Sequence, residues 1–188
     1  MKKILLLAVV MFASLNASAQ FYVGGSVGFG SVKPTGGSDS EFTFRILPEF
    51  GYNLNDQWSV GATLGYQKGF PYDGQNIGVG DFSNQYAYSK VEVFTIAPYA
   101  RYTAAEWDMV KFFFDGGLSF GSIKDGGTII KVGVMPGVAI NLTDEISFVA
   151  HLGFAGFENF SPKGDGKSGS NFGIDFSNNC AFGVYFNF

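Results

Sequence analysis

The sequence predicts an all-β fold, an eight-stranded antiparallel up-and-down transmembrane β-barrel, on three observations. The chain ends on an alternation in which Phe182, Val184, Phe186 and Phe188 are interleaved with Ala181, Gly183 and Tyr185, and no charged tail follows. Large apolar side chains therefore share one face of a terminal strand, an edge that a water-soluble sheet keeps polar and a lipid-sealed one need not. Eight segments of such alternation recur along the chain, each at least as long as the roughly 9 to 11 residues that cross a bilayer as a tilted strand. Their connections alternate between short and long, as when turns occupy one rim of a barrel and loops the other.

Ahead of the first strand, Lys2 and Lys3, an apolar run from Ile4 to Phe12 and the small residues Ala17, Ser18 and Ala19 read as a secretory signal peptide over residues 1–19. Residues 20–188 then form one transmembrane barrel domain. The apolar run is too short to span a bilayer as a helix, and no later stretch is long enough. No 3.6-residue periodicity follows either, so no helix is predicted.

The strands are read at Phe21–Gly30, Phe42–Leu54, Trp58–Gln67, Val91–Tyr102, Val110–Phe120, Ile129–Leu142, Ile146–Phe157 and Phe172–Phe188. Short turns fall at 55–57, 103–109 and 143–145, long loops at 31–41, 69–90 and 158–171, and a modest connection at 122–127. An even strand number puts both termini on the short-turn rim. A weak repeat supports the register: Pro48, Pro98 and Pro136 are followed five residues on by Asn53, Thr103 and Asn141, and eight residues on by Asp56, Glu106 and Asp144. Proline cannot donate to a strand ladder, so each of the three is expected to mark a bulge or kink.

From the second strand onward the even positions carry residues such as Phe44, Ile46, Phe94, Ile96, Phe112, Val134, Leu152, Phe154 and Ile174. The odd positions carry charges, hydroxyls and many glycines. An eight-stranded barrel has an interior just wide enough for side chains to fill, and so many aromatics do not fit there. The apolar face is therefore assigned to lipid, with Trp58, Tyr52, Tyr102 and Phe188 as an aromatic girdle near the short turns. The lumen is then expected to hold a polar network of Arg45, Glu49, Arg101, Lys111, Asp115, Lys131, His151 and Asp175. Its signs nearly balance, and charges in a narrow lumen persist when paired, so the network is expected to plug the barrel.

These segments, the turn and loop asymmetry and the ending Phe182, Val184, Phe186, Phe188 resemble the OmpX-like and OmpA-transmembrane-like small outer-membrane barrels, including the outer membrane protein β-barrel domains common in Bacteroidetes. The resemblance covers Phe21 to Phe188. It implies a Gram-negative outer-membrane location, with long loops extracellular and termini periplasmic, and a surround of membrane lipid and lipopolysaccharide. It also implies that Phe182, Val184, Phe186 and Phe188 are the signal read by the outer-membrane assembly machinery, a transient partner. Nothing follows the barrel, so peptidoglycan binding is not implied.

Other chemistry finds little support. Without Lys2 and Lys3 the basic count falls from 12 to 10 against 16 acids, a net charge near −6, so no nucleic-acid partner is expected. Cys180 stands alone and forms no internal disulfide. His151, the only histidine, has no second His or Cys near it as a metal site would require, and it reads as a packed lumen residue. Gly164 to Ser168 mimics the end of a phosphate-binding loop but lacks the first glycine, because Ser161 stands there, and lacks the following helix. The 73–84 segment has Gln75 and Ile77 where a calcium loop needs acids. Neither catalytic residue, metal nor cofactor is expected. The 69–90 loop carries Phe70, Tyr72, Phe82, Tyr86 and Tyr88, candidates for binding a surface protein ligand by strand addition. The reading is a non-enzymatic outer-membrane barrel, structural or surface-binding, with a plugged lumen. Its alternative is a narrow channel or transporter for ions or small solutes.

Overall fold

Alternating bulky and small residues give a strand two unlike faces, and strands form where that alternation was read. The computed structural model describes residues 21–32, 41–68, 92–164 and 166–188. The expected signal peptide lies outside them. The strands are β1 (Phe21–Val32), β2 (Glu41–Asn53), β3 (Trp58–Lys68), β4 (Glu92–Trp107), β5 (Val110–Ile123), β6 (Gly127–Asn141), β7 (Ile146–Pro162) and β8 (Gly169–Asn187). Each pairs antiparallel with its neighbour in sequence, and β1 meets β8 to close the barrel. Among the described residues no helix is long and apolar enough to cross a membrane.

The apolar belt faces outward. Phe50, Trp58, Phe94, Phe114, Leu118, Phe120, Val132 and Val134 are all exposed, although each is large and hydrophobic. At the short-turn rim, Trp58 packs against Tyr102 at 5.0 Å between ring centroids and Phe21 against Tyr52 at 4.7 Å, while Phe188 is exposed.

Two short turns are copies of one another. Residues 53–59 (Asn-Leu-Asn-Asp-Gln-Trp-Ser) and 141–147 (Asn-Leu-Thr-Asp-Glu-Ile-Ser) share a plan. In each, the third side chain accepts from two backbone N–H groups: Asn55 Oδ1 from Gln57 and Trp58, Thr143 Oγ1 from Glu145 and Ile146. In each, the closing serine donates to the opening asparagine, Ser59 to Asn53 at 2.7 Å and Ser147 to Asn141 at 2.8 Å. Such side-chain turns satisfy backbone groups that a bare loop would leave to water.

The turn between them departs from expectation. β4 runs on to Trp107, so the connection is only Asp108 and Met109, with Asp108 at φ 48°. The extra residue is absorbed in a bulge between Thr103 and Ala105, and a bulge breaks the alternation on which the strand end was read. The 158–171 loop also shrinks to 163–168, because β7 continues to Pro162 and β8 starts at Gly169.

The prolines behave less uniformly than expected. At Pro136 the β6–β7 register does shift, between Val134 and Gly137. At Pro48 and Pro98 the register is unbroken: the β2–β3 and β4–β5 ladders skip Leu47–Pro48 and Ala97–Pro98 and resume in phase. A missing donor therefore costs rungs there without displacing the strand.

Candidate functional site

The short-turn half of the lumen is built around Arg101 on β4. Its Nε donates to Asp115 Oδ1 at 2.7 Å, and its Nη2 donates to Asp115 Oδ2 at 2.8 Å and to Glu49 Oε1 at 3.3 Å. This is the bidentate fork a guanidinium offers a carboxylate. Glu49 also accepts from the hydroxyls of Tyr99 and of Tyr185, the latter at 2.6 Å. With Tyr99 donating to Glu49, the 2.6 Å contact between Tyr22 and Tyr99 is Tyr22 donating to Tyr99. His151 Nε2 lies 2.8 Å from Asp115 Oδ2. A carboxylate only accepts, so the network assigns the proton to Nε2.

Four aromatic rings enclose the guanidinium: its carbon lies 4.0 Å from the Phe113 centroid, 5.3 Å from Tyr99, 5.4 Å from Tyr22 and 5.7 Å from Tyr185. These distances permit cation–π attraction. The rings fit because glycines face them across the ladder: Tyr22 opposite Gly51, Tyr185 opposite Gly24, Tyr99 opposite Gly61, Phe113 opposite Gly137. A Cβ built at any of the four glycines would strike the facing ring. Each aromatic thus lies flat over a missing side chain, and the lower lumen is filled by ring and guanidinium together.

Beyond this plug, toward the long loops, lies a cavity of about 280 Å³. Arg45, Gln67, Thr95, Lys131, Met135 and Phe154 are on its wall. Lys131 Nζ lies 2.8 Å from Glu158 Oε1, on the facing strand, and 5.6 Å from the Phe154 ring. Further out still, Val93, Ile123, Ile129 and Phe160 form a small buried apolar cluster near the mouth. On the rim outside it, Glu92 meets Lys124 at 3.0 Å and Lys68 at 3.6 Å. The hydrogen bond from Lys124 holds the Glu92 carboxyl below its ordinary value and raises the Lys124 ammonium in turn.

The model of the outer membrane protein beta-barrel domain family matches residues 4–188. The chain belongs to this family. The crystal structure of Neisserial surface protein A aligns with a TM-score of 0.50 at 19% identity, covering 92% of this chain and all of that one. The E. coli outer membrane protein W aligns at a TM-score of 0.44 and 10% identity, covering 93% of this chain and all of that one. The first likeness is one of fold. No curated protein matches the chain.

Within this outer-membrane barrel the predicted lumen residues do not form a single network. Glu49, Arg101, Asp115 and His151 come together in the plug. Arg45 and Lys131 lie on the cavity wall above it. Lys111 is no lumen residue in this sense: it pairs with Glu106 at 3.0 Å near the short turns, both partly exposed. Asp175 is on β8 opposite Phe154, but its side chain lies outside the described residues. So do Phe70, Tyr72, Phe82, Tyr86 and Tyr88. Phe182, Val184, Phe186 and Phe188 are all exposed on the outer face. Among the described residues no group of three or more His, Cys, Asp or Glu could hold a metal ion.

Phe154, expected on the lipid face, lines the cavity instead. Register shifts flank Gly153, which sits at φ 78°, and residues beyond it reverse their facing. Glu158 and Phe160 consequently turn inward and are buried, while Phe157 is exposed. The sequence reading also passed over Tyr22, Phe113 and Tyr185, because it ranked inner-face positions by polarity. The signal was present in the glycines: a bulky inner residue facing a glycine across the register is an aromatic with room to lie down.

Proposed function

We propose that the chain is a non-enzymatic outer-membrane barrel, closed to flow along its axis, whose role is structural or exercised at the cell surface through its long loops. The observation that carries this reading is the Arg101 plug. Seven side chains, Tyr22, Glu49, Tyr99, Arg101, Asp115, His151 and Tyr185, are joined by its hydrogen bonds, four rings surround the guanidinium, and two of its charges, Glu49 and Asp115, would be stranded if Arg101 moved. Such a network resists opening because breaking it leaves buried charge uncompensated. Against an enzyme stands the position of His151, whose Nε2 is committed to Asp115 and whose ring packs edge-on against Phe113 at 5.4 Å.

In this reading the long loops are extracellular, the termini periplasmic, and the N-terminal segment a signal peptide. The belt is surrounded by lipid and lipopolysaccharide, and the outward row ending at Phe188 is read by the assembly machinery. The loop aromatics Phe70, Tyr72, Phe82, Tyr86 and Tyr88 meet a surface protein ligand. The axial claim is tested by swelling of vesicles carrying the refolded barrel in small sugars and amino acids. No swelling above empty vesicles is expected; solute entry at porin-like rates would favour the narrow channel.

A further inference from the structure

Phe154 on β7 is held against the cavity wall by a pair of glycines. Gly133 of β6 and Gly156 of β7 stand directly opposite one another, and a Cβ built at the first would meet the Phe154 ring at 2.6 Å and at the second at 2.7 Å. The ring therefore lies over this glycine pair, as Phe113 lies over Gly137 in the plug, and Phe154 lines the cavity. In the plug the ring of Phe113 is taken by a planar group, the Arg101 guanidinium, whose carbon is 4.0 Å from its centroid. Phe154 has no such partner within the chain: the cation beside it is the Lys131 ammonium, 5.6 Å from its centroid and held by Glu158 at 2.8 Å.

The described charges on the cavity wall are already committed. Lys131 is paired with Glu158, Glu49 and Asp115 are paired with Arg101, and Arg45 is not free. An ion entering the cavity would find no uncommitted counter-charge among them, and an unpaired charge is costly to take out of water. One polar atom is left over. With the proton of His151 on Nε2 and given to Asp115, Nδ1 keeps its lone pair, and it has no hydrogen-bond partner among the described residues. His151 is on the cavity wall as well, three residues before Phe154 on β7, a strand distance of at most about 10 Å.

We propose that the lumen cavity binds a neutral aromatic molecule of one or two rings that carries an O–H or N–H donor, a phenol or an indole in kind. Its ring stacks on Phe154, and its donor reaches His151 Nδ1. Each part of that chemistry has a counterpart. Aromatic rings gain from offset or edge-on contact beyond the area they bury, and Phe154 is the inner ring of this half that borders open volume. Leu47, Val93, Ile129 and Met135 extend the apolar wall, and a thioether packs favourably at a ring edge. Neutrality follows from the committed charges, and the donor from the one acceptor they leave. A cavity of about 280 Å³ is near the lower limit of ligand pockets, roughly 300 Å³, a size for a small ring system and not for a lipid. Because the Arg101 plug forms its floor, occupancy requires no flow along the axis.

The test titrates the refolded full barrel in phosphatidylcholine vesicles with 2-naphthol, read by calorimetry against protein-free vesicles. Saturable binding at one site per chain is expected. Decahydro-2-naphthol, which keeps the hydroxyl and loses the flat ring, and naphthalene, which keeps the ring and loses the donor, should each bind more weakly by roughly two- to tenfold. Neither 2-naphthalenesulfonate nor 2-naphthyltrimethylammonium should displace it. Phe154→Leu should bring 2-naphthol down to its saturated analogue, and His151→Phe should erase its advantage over naphthalene. Gly121→Leu should abolish binding without touching the plug, because Gly121 is on the cavity wall and a Cβ there makes only ordinary contacts with Ile129 and Thr95. No saturable binding, unchanged binding in folded Gly121→Leu or Phe154→Leu, an advantage over naphthalene that survives His151→Phe, or displacement by either ion overturns the proposal.

Discussion

On the short-turn side of the lumen four aromatic rings lie over glycines and enclose Arg101, whereas on the long-loop side Gly121 faces no ring and a cavity remains. Both halves are lined by the same inner faces of the same strands. What separates them is how the large inner residues gather: toward the turns four rings converge on one guanidinium, whereas Phe154, over Gly133 and Gly156, and Phe160 line the other half without closing it. Tyr22, Tyr99, Phe113 and Tyr185 all lie toward the turns, and each has its glycine. The charges divide accordingly. Around the guanidinium, Arg101, Glu49 and Asp115 satisfy one another; beside the cavity, Lys131 pairs with Glu158 across the β6–β7 ladder and Arg45 is on the wall.

The comparison breaks most visibly at its centre. Arg101→Leu strands Glu49 and Asp115 in the lumen and should lower stability by about 3–5 kcal/mol, measured by urea unfolding in vesicles. A loss below 1 kcal/mol would mean that the plug does not hold the lower half. Whether the two halves are interior at all is sharpened by Val134→Arg against Met135→Arg. Val134 is exposed to lipid and Met135 is on the cavity wall. The first should cost about 2–4 kcal/mol at midplane depth and the second clearly less; equal tolerance would reverse the faces. Glycines test the filling itself. Gly137→Leu would drive a side chain into Phe113 and should cost about 1–3 kcal/mol as overpacking, while Gly121→Leu should be nearly neutral because it grows into the cavity. Similar losses at both positions would erase the distinction. The smallest effect lies outside the lumen. With its carboxyl held down by Lys124, Glu92 adds to stability above the ordinary glutamate value of 4.5, and that increment is lost as pH falls through its lowered value. The barrel with Glu92→Gln should therefore show a slightly shallower acid decline in melting temperature than the parent.

The wall was largely legible in the sequence because a period of two survives wherever strands are regular. Phe44, Ile96, Phe112, Val134 and Leu152 fixed one register across β2 to β7, and their outward facing followed from volume. Reading failed where an extra residue breaks the period. Ala104, in the bulge of β4, hid five further strand residues, and Gly153 hid the reversal that turns Phe154 and Glu158 inward. The lumen was half legible. Charge picked out Glu49, Arg101, Asp115 and His151, but not the rings of Tyr22, Phe113 and Tyr185, since an aromatic on an inner face looks like an exception until its glycine is found across the ladder. Lys111 was misjudged for a related reason: parity gives a face and not a height, and at the rim the inner face meets water.

Single-channel current through Arg101→Ser set beside the parent barrel tests the central claim most directly, that one guanidinium and its rings close the lower lumen. The account predicts a parent that passes no resolvable current and a variant that conducts, once the fork between Glu49 and Asp115 is gone. A parent that conducts steadily, or a folded Arg101→Ser barrel as tight as the parent, would contradict it.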